Sequence, residues 1–212
     1  MISLVGSMIR THRSLDQLEL VGGNICLDFT NSVNCRPEPE LDYLHSYEAF
    51  LAWAEHVQLL TPQERETLSQ LAQQQPGRIA SLMTRIRSLR ETIYRLFADL
   101  AAHKQPNPDD LETIQSSYAF ACQRANLVQE QGCYRFRWNL THQLESPLWP
   151  VIYAAGELLR SEQLQRLKLC PSCGWLFIDL SKNGQRRWCS MNSCGARDKM
   201  RRYHQRQRDR LA

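Results

Sequence analysis

Four of the chain's eight cysteines fall between residues 170 and 194, spaced Cys170-x2-Cys173, then fifteen residues, then Cys189-x4-Cys194. No other feature limits the fold as tightly. Two residues between thiolates let a tight turn aim both sulfurs at one point, and two such pairs complete a tetrahedral four-sulfur site. Zinc suits that site, because it binds thiolates well and has no geometric preference of its own to frustrate. With cysteine at all four positions no coordination position stays open, so the expected metal is structural and not catalytic. A disulfide pair or an iron–sulfur cluster would draw on the same residues. Nothing else in the chain points to electron transfer, and Cys26, Cys35, Cys122 and Cys133 are scattered as core residues would be. Clustered thiols serving as ligands imply a reducing compartment, and the chain is read as cytoplasmic.

The residues between and after the cysteine pairs complete a module. Trp175 to Ile178 reads as a short strand, Ser181 to Gly184 as a turn, and Gln185 to Trp188 as a returning second strand. After Cys194 the sequence GARDKMRRYHQRQRDR has no proline and predicts a helix, with Ala196, Met200 and Tyr203 on one side. The order knuckle, hairpin, helix is treble-clef-like. Such a module is too small for a core of its own, and the metal is expected to supply about 10–16 kcal/mol of apparent stability.

Charge is divided along the chain. Residues 160–212 hold 13 Lys and Arg against 4 Asp and Glu, whereas residues 1–159 hold 13 against 18. An acidic body with a basic end implies that the end meets something anionic, the plainer alternative being a solvated basic helix. Lys182, Arg186, Arg187, Arg197, Lys199, Arg201, Arg202 and Arg206 surround or extend the metal site. Arginine matches phosphate and guanine edges bidentately, and a helix fits the major groove of B-DNA. Double-stranded DNA is therefore the expected partner, with Arg197 and Arg201 best placed to reach base edges. Trp175 and Trp188 are expected to pack around the knuckle.

The body, residues 15–168, reads as mainly helical, and residues 169–210 as the finger. Leu44, Tyr47, Leu51, Ala54 and Val57 recur at helical spacing from Leu41 onward. Thr61-Pro62 with Glu64 is a helix start with a reciprocal cap, and that helix is expected to end near Pro76-Gly77. Residues 78–103 carry the strongest stripe, with Leu82, Ile86, Ile93 and Phe97 on it and Arg78, Arg85, Arg87, Arg90 and Arg95 off its centre. A further helix starts at Asp109 or Asp110. In 133–140, Tyr134, Phe136, Trp138 and Leu140 alternate with polar residues as in a half-buried strand, with Leu127 in a hairpin partner. A last body helix, from about Trp149 to Lys168, runs straight into Cys170. Residues 20–36 fit either a short helix or a strand, and Pro37 to Glu40 is a loop.

Several function classes find no support. No apolar run approaches the ~20 residues a membrane span needs, and the opening MISLVGSMIR makes a poor secretory signal. There is no glycine-rich phosphate loop, no HExxH and no serine elbow, and the six histidines are isolated. Asp28, Asn31 and Arg36 are polar residues among apolar ones; they either line a small-molecule pocket or cap a helix and pair with other side chains.

The segment from Cys170 to Arg206 resembles the CGNR-type zinc finger. Phe177, Asp179, Ser181, Asn183, Arg187, Trp188, Cys189, Ser190 and Met191 match its pattern, followed by Cys194, Gly195 and Arg197. GGNICLDFTNSVNCR resembles the opening of the domain usually found ahead of that finger in stress-induced transcription regulators. Gly22, Gly23, Cys26, Leu27, Asp28, Phe29, Asn31 and Arg36 occupy its pattern, and Trp53 falls where that domain carries a tryptophan. The family motif's asparagine is Ala196 here. The resemblance implies a helical N-terminal domain, a DNA-binding finger and a regulator in place of an enzyme. Together with the charge and the cysteines it leads to a zinc-dependent DNA-binding regulator whose body senses a small-molecule effector or forms a homodimer. The rivals are an RNA- or protein-binding adaptor and, less supported, a small-molecule enzyme around Asp28, Asn31 and Arg36.

Overall fold

A computed structural model describes residues 15–37 and 41–211. The first fourteen residues and most of the expected Pro37–Glu40 loop lie outside the described part. Among the described residues the body has six α-helices: α1 (Ile25–Thr30), α2 (Tyr47–His56), α3 (Pro62–Gln74), α4 (Pro76–Ala101), α5 (Pro108–Gln123) and α6 (Leu148–Leu159). A hairpin of β1 (Asn126–Glu130) and β2 (Cys133–Arg137) links α5 to α6. The finger contributes β3 (Leu167–Leu169), β4 (Leu176–Ile178) and the terminal helix α7 (Ala196–Leu211). The protein is thus mainly α, with a four-cysteine finger following a helical body. Among the described residues no helix is long and apolar enough to cross a membrane.

Local chemistry sets most boundaries. Residues 25–30 are helical, and the Asn24 side chain accepts from the Cys26 amide to start the turn. Tyr43 and Leu44 are buried but precede the next helix, which begins only where the Ser46 side chain caps the Ala49 amide. The Thr61–Glu64 capping box forms as expected. Pro76 begins α4 instead of closing α3, because proline suits a first helical turn, where its missing N–H is not needed. Gln131 and Gly132 both have positive φ, the conformation a two-residue hairpin turn requires, and pair Glu130 with Cys133. The hairpin is more exposed than its alternation implies, with only Phe136 of β2 partly buried. Phe136 and the following Trp138 pack on the Tyr153 ring of α6.

Arg90 corrects the reading of α4. It lies four residues after Ile86 and three before Ile93, on the inner face, and is 3% exposed. Its guanidinium forks onto both Asp42 oxygens at 2.6 and 2.8 Å and reaches Ser32 Oγ at 3.2 Å. Asp42 lies beyond the loop after α1, so this pair ties that loop to the long helix. A buried fork of this kind is costly to break, since removing one partner leaves the other's charge buried.

The core is continuous from body to finger. Phe50 stacks on Trp53 within it and Phe29 packs tilted against the same ring, and Trp175, Leu176 and Phe177 join the same buried cluster. α5 and α6 cross closely at Gly156, where a β-carbon would lie 2.1 Å from the Tyr118 ring.

Candidate metal centre and nucleic-acid interface

The approach to the cysteines differs from the sequence expectation. α6 stops at Leu159, and the chain then passes through a 3-10 turn, Glu162–Arg166, into β3. β3 pairs antiparallel with β4, setting Leu167 against Ile178 and Leu169 against Leu176. The knuckle Cys170–Gly174 is therefore the loop of a hairpin that begins before the first cysteine. The expected return strand at 185–188 is not regular. Its place is taken by a loop wound around one carboxylate.

That carboxylate is Asp179, fully buried. It accepts from the Ser181 amide and hydroxyl, from the Arg186 amide, and from Lys168 Nζ at 2.7 Å. The donors hold its carboxyl well below the usual carboxylate range, outweighing the cost of burial. The loop is consequently stabilised above the ordinary carboxylate pKa, and that contribution is lost as pH falls through the folded value.

The loop delivers Cys189 opposite the knuckle, and a tight turn over Met191–Gly195 delivers Cys194 at the base of α7. The sulfurs of Cys170, Cys173, Cys189 and Cys194 all lie within 4.8 Å of one another, and all four residues are buried. Cys173 Sγ is 3.5 Å from Cys189 Sγ, and Cys189 Sγ is 3.6 Å from Cys194 Sγ. Four thiols converging without disulfide geometry fit a tetrahedral thiolate metal centre. The donor set, buried and all sulfur, fits zinc.

The body seats this centre through main-chain contacts. Asn31, 1% exposed, uses its side-chain amide as a strand edge: it donates to Leu176 O at 2.9 Å and accepts from Leu176 N at 3.0 Å. Trp175 Nε1 donates to Val33 O at 2.7 Å, and the Arg36 amide donates to Cys173 O at 2.9 Å. Tyr94 of α4 donates to Gly174 O at 3.1 Å. Gly174 has φ +71°, and a β-carbon there would lie 2.7 Å from Arg36 Cβ, so both conformation and space require glycine.

Residues 23–162, about two thirds of the chain, match the family model ABATE, described as "Putative stress-induced transcription regulator". The chain belongs to the ABATE family. Residues 166–207 match the CGNR zinc finger, so the ABATE body and its finger account for the described elements from α1 through most of α7. No curated protein matches the chain.

Within this ABATE chain the three residues read as a pocket are not gathered around one cavity. Asp28 accepts from the Gly22 amide at 2.8 Å, and burial pushes its carboxyl up to about 6. Asn31 lies in the seam described above. Arg36 donates to Glu91 and to Thr30 O and lies 3.9 Å over the Tyr94 ring. Burial pulls its guanidinium pKa down, with Glu91 opposing. Arg36 alone of the three borders a cavity of about 810 Å³ between the α1–α2 loop, α4 and the knuckle, which Arg90, Glu91 and Arg95 also line. The capping-and-pairing alternative describes Asp28 and Asn31.

The basic residues divide into groups. Arg186 is half-buried, bonds Trp188 O and Cys189 O, and lies 4.9 Å over the Phe177 ring, so its guanidinium is part of the scaffold. Arg201 and Arg202 both pair with the buried Asp198 at the start of α7. Arg197 borders a small crevice with Glu19 and Ser193. Lys182, Arg187, Lys199 and Arg206 are exposed, with Arg187 stacked on Trp188 at 4.7 Å. Trp175 and Trp188 are buried against the metal centre. Ala196, where the family motif has asparagine, is exposed at the start of α7. Sequence reasoning missed Asp42, Arg90 and Tyr94 as seating residues. Only the position of Arg90 on the α4 stripe signalled any of them.

Proposed function

We propose that the chain is a zinc-dependent transcription regulator that grips double-stranded DNA with α7 and the loop before it. The observation that carries this reading is α7 itself. It has 16 residues, seven of them Arg or Lys against two Asp, and every residue from Lys199 to Asp209 is exposed. It spans about 24 Å, long enough to lie along a major groove. Lys182, Arg187, Lys199 and Arg206 take phosphates and set register, while Arg197 and the Asp198-braced Arg201 and Arg202 face base edges. The metal fixes the first turn of α7, which makes binding zinc-dependent. The reading assigns no reaction to the chain.

The test is duplex binding by zinc-loaded protein across a salt series, with Cys170→Ser/Cys173→Ser protein as control. Affinity should fall by about 0.9 log unit per log unit of salt for each phosphate contacted, and the control should not bind. Met200 and Tyr203 are 54% and 56% exposed on α7, an apolar pair that favours a protein partner as the second reading. Salt-insensitive capture of a protein, with no duplex binding, would decide for it.

A further inference from the structure

We propose that the cavity between α4, α5 and α6 is a binding site for a small aromatic carboxylic acid bearing a hydroxyl group. The cavity has a volume of about 540 Å³ and lies in the body, on residues distinct from the knuckle and from the seam that Asn31 makes. That size falls in the range of small-molecule sites, about 300–1,000 Å³. Three kinds of group line it, and each specifies one part of the ligand.

The walls are apolar. Leu82 and Leu89 from α4, Phe120 from α5, and Leu148, Trp149 and Ile152 from α6 face the space. Phe120 is 43% exposed, a large ring left open by the fold. A flat aromatic body fits between such surfaces, where ring–ring contact adds about 0.5–1.5 kcal/mol beyond burial.

The charge around the walls is cationic. Arg85 lines the cavity and has no acidic partner among the described residues. Arg124 lies 3.3 Å over the Phe120 ring and 5.6 Å from the Trp149 ring, again without a carboxylate partner among the described residues. Against these stands Glu145, which already faces Arg78 at 3.7 Å. One uncompensated guanidinium lining the cavity, with a second stacked on Phe120 outside the lining, selects an anion, and a planar carboxylate is the group that an arginine fork matches.

Glu145 specifies the remaining feature. Its Oε2 is buried and has no hydrogen-bond partner, Arg78 being beyond bonding distance. A buried acceptor left unmade costs about 1–3 kcal/mol, so a ligand hydroxyl that donates to it once the Glu145 side chain turns toward the cavity offsets that cost. Ser88 and Ser117, whose hydroxyls make no hydrogen bond with other described residues, line the same space and extend its polar rim.

The inference stands apart from the DNA reading, because its test contains no DNA. Calorimetry on the full zinc-loaded chain with 4-hydroxyphenylacetate, phenylacetate and tyramine reads the three features separately. The hydroxylated acid should bind at one site, more tightly than phenylacetate, and tyramine should bind weakest. Arg85→Gln, at an exposed helical position that folding does not require, should weaken both acids at least tenfold. Glu145→Leu, which removes the acceptor and its charge, should erase the preference for the hydroxylated acid without weakening phenylacetate. Ser88→Trp should fill the cavity and abolish binding with an unchanged melting temperature. Tyramine binding more tightly than the acids overturns the proposal. So does equal binding by Arg85→Gln and Ser88→Trp, or no binding of either acid by folded protein.

Discussion

The two halves of the finger are built in opposite ways. The knuckle half, Cys170 to Ile178, lies inside the core that α1 and α4 share, and its main chain bonds to Asn31, Val33, Arg36 and Tyr94. The α7 half is exposed from Lys199 to Asp209 and carries most of the unburied positive charge. A module of some forty residues cannot bury enough surface to stand alone, and ordinarily the metal makes up the difference. Here the body contributes as well, by lending the knuckle a core and a hydrogen-bonded edge. Stability is concentrated on one side of the metal and freedom to meet a partner on the other.

The largest break in that division should come from the metal. Cys173→Ser or chelation removes a contribution of about 10–16 kcal/mol from a chain whose total stability is about 5–15 kcal/mol. Because knuckle and body share a core, loss of zinc is expected to lower the melting transition of α1 and α4 along with the finger. Circular dichroism and tryptophan fluorescence should report one coincident transition shifted far downward. An unaltered helical transition alongside a melted finger would show two independent units and end the comparison.

Asn31→Ala tests the seam without touching the metal. It strands both the N–H and the C=O of Leu176 in a buried position, at about 1–3 kcal/mol each, so denaturant unfolding should show a loss of about 3 kcal/mol with zinc content retained. A loss below about 0.5 kcal/mol would mean the seam is not what seats the knuckle. Asp28 gives a pH test of the same region. Its carboxyl rises from 3.8 to about 6 because burial disfavours the charge, so the folded state holds its proton more tightly than the unfolded state. Stability is then greatest below about pH 4 for this group and is lost as pH rises through about 6, by about 3 kcal/mol in all. Asp28→Asn should flatten that part of the stability–pH curve, and an unchanged curve would remove the burial argument.

Much of this was legible in the residues, for reasons that differ by region. Cysteine spacing is a local geometric statement, so the metal cluster could be read from Cys170, Cys173, Cys189 and Cys194 alone. Helix starts were readable at Thr61, where the capping chemistry is local. The return strand expected at 185–188 failed because Asp179, seven residues before Arg186, takes the Arg186 amide, and no periodicity records such a carboxylate. The long α6 expected through Lys168 failed likewise, since the strand at Leu167–Leu169 exists only because Leu176–Ile178 pairs with it. Asn31, a polar residue among apolar ones, and Arg90, an arginine beside an apolar stripe, both lack a local signal of their role. What separates a pocket residue from a seam residue is the partner across the fold, Leu176 in one case and Asp42 in the other, 145 and 48 residues distant.

The smallest expected effect on stability falls on α7, and it sharpens the comparison most when set beside Arg186. Arg206 is exposed and makes no ion pair among the described residues, so Arg206→Ala should change stability by no more than about 0.5 kcal/mol. In the duplex-binding series it should lower the salt slope by about 0.9, the mark of one lost phosphate contact. Arg186→Ala should do the reverse. Its guanidinium bridges the carbonyls of Trp188 and Cys189 and covers Phe177, so its loss loosens the loop that presents a zinc ligand. Zinc affinity and melting temperature should fall, and any DNA defect should be recovered by excess zinc with the salt slope intact. Two arginines twenty residues apart in one finger would then separate by which quantity each one moves, and a salt slope altered equally by both would mean that the scaffold and the contact surface are not distinct.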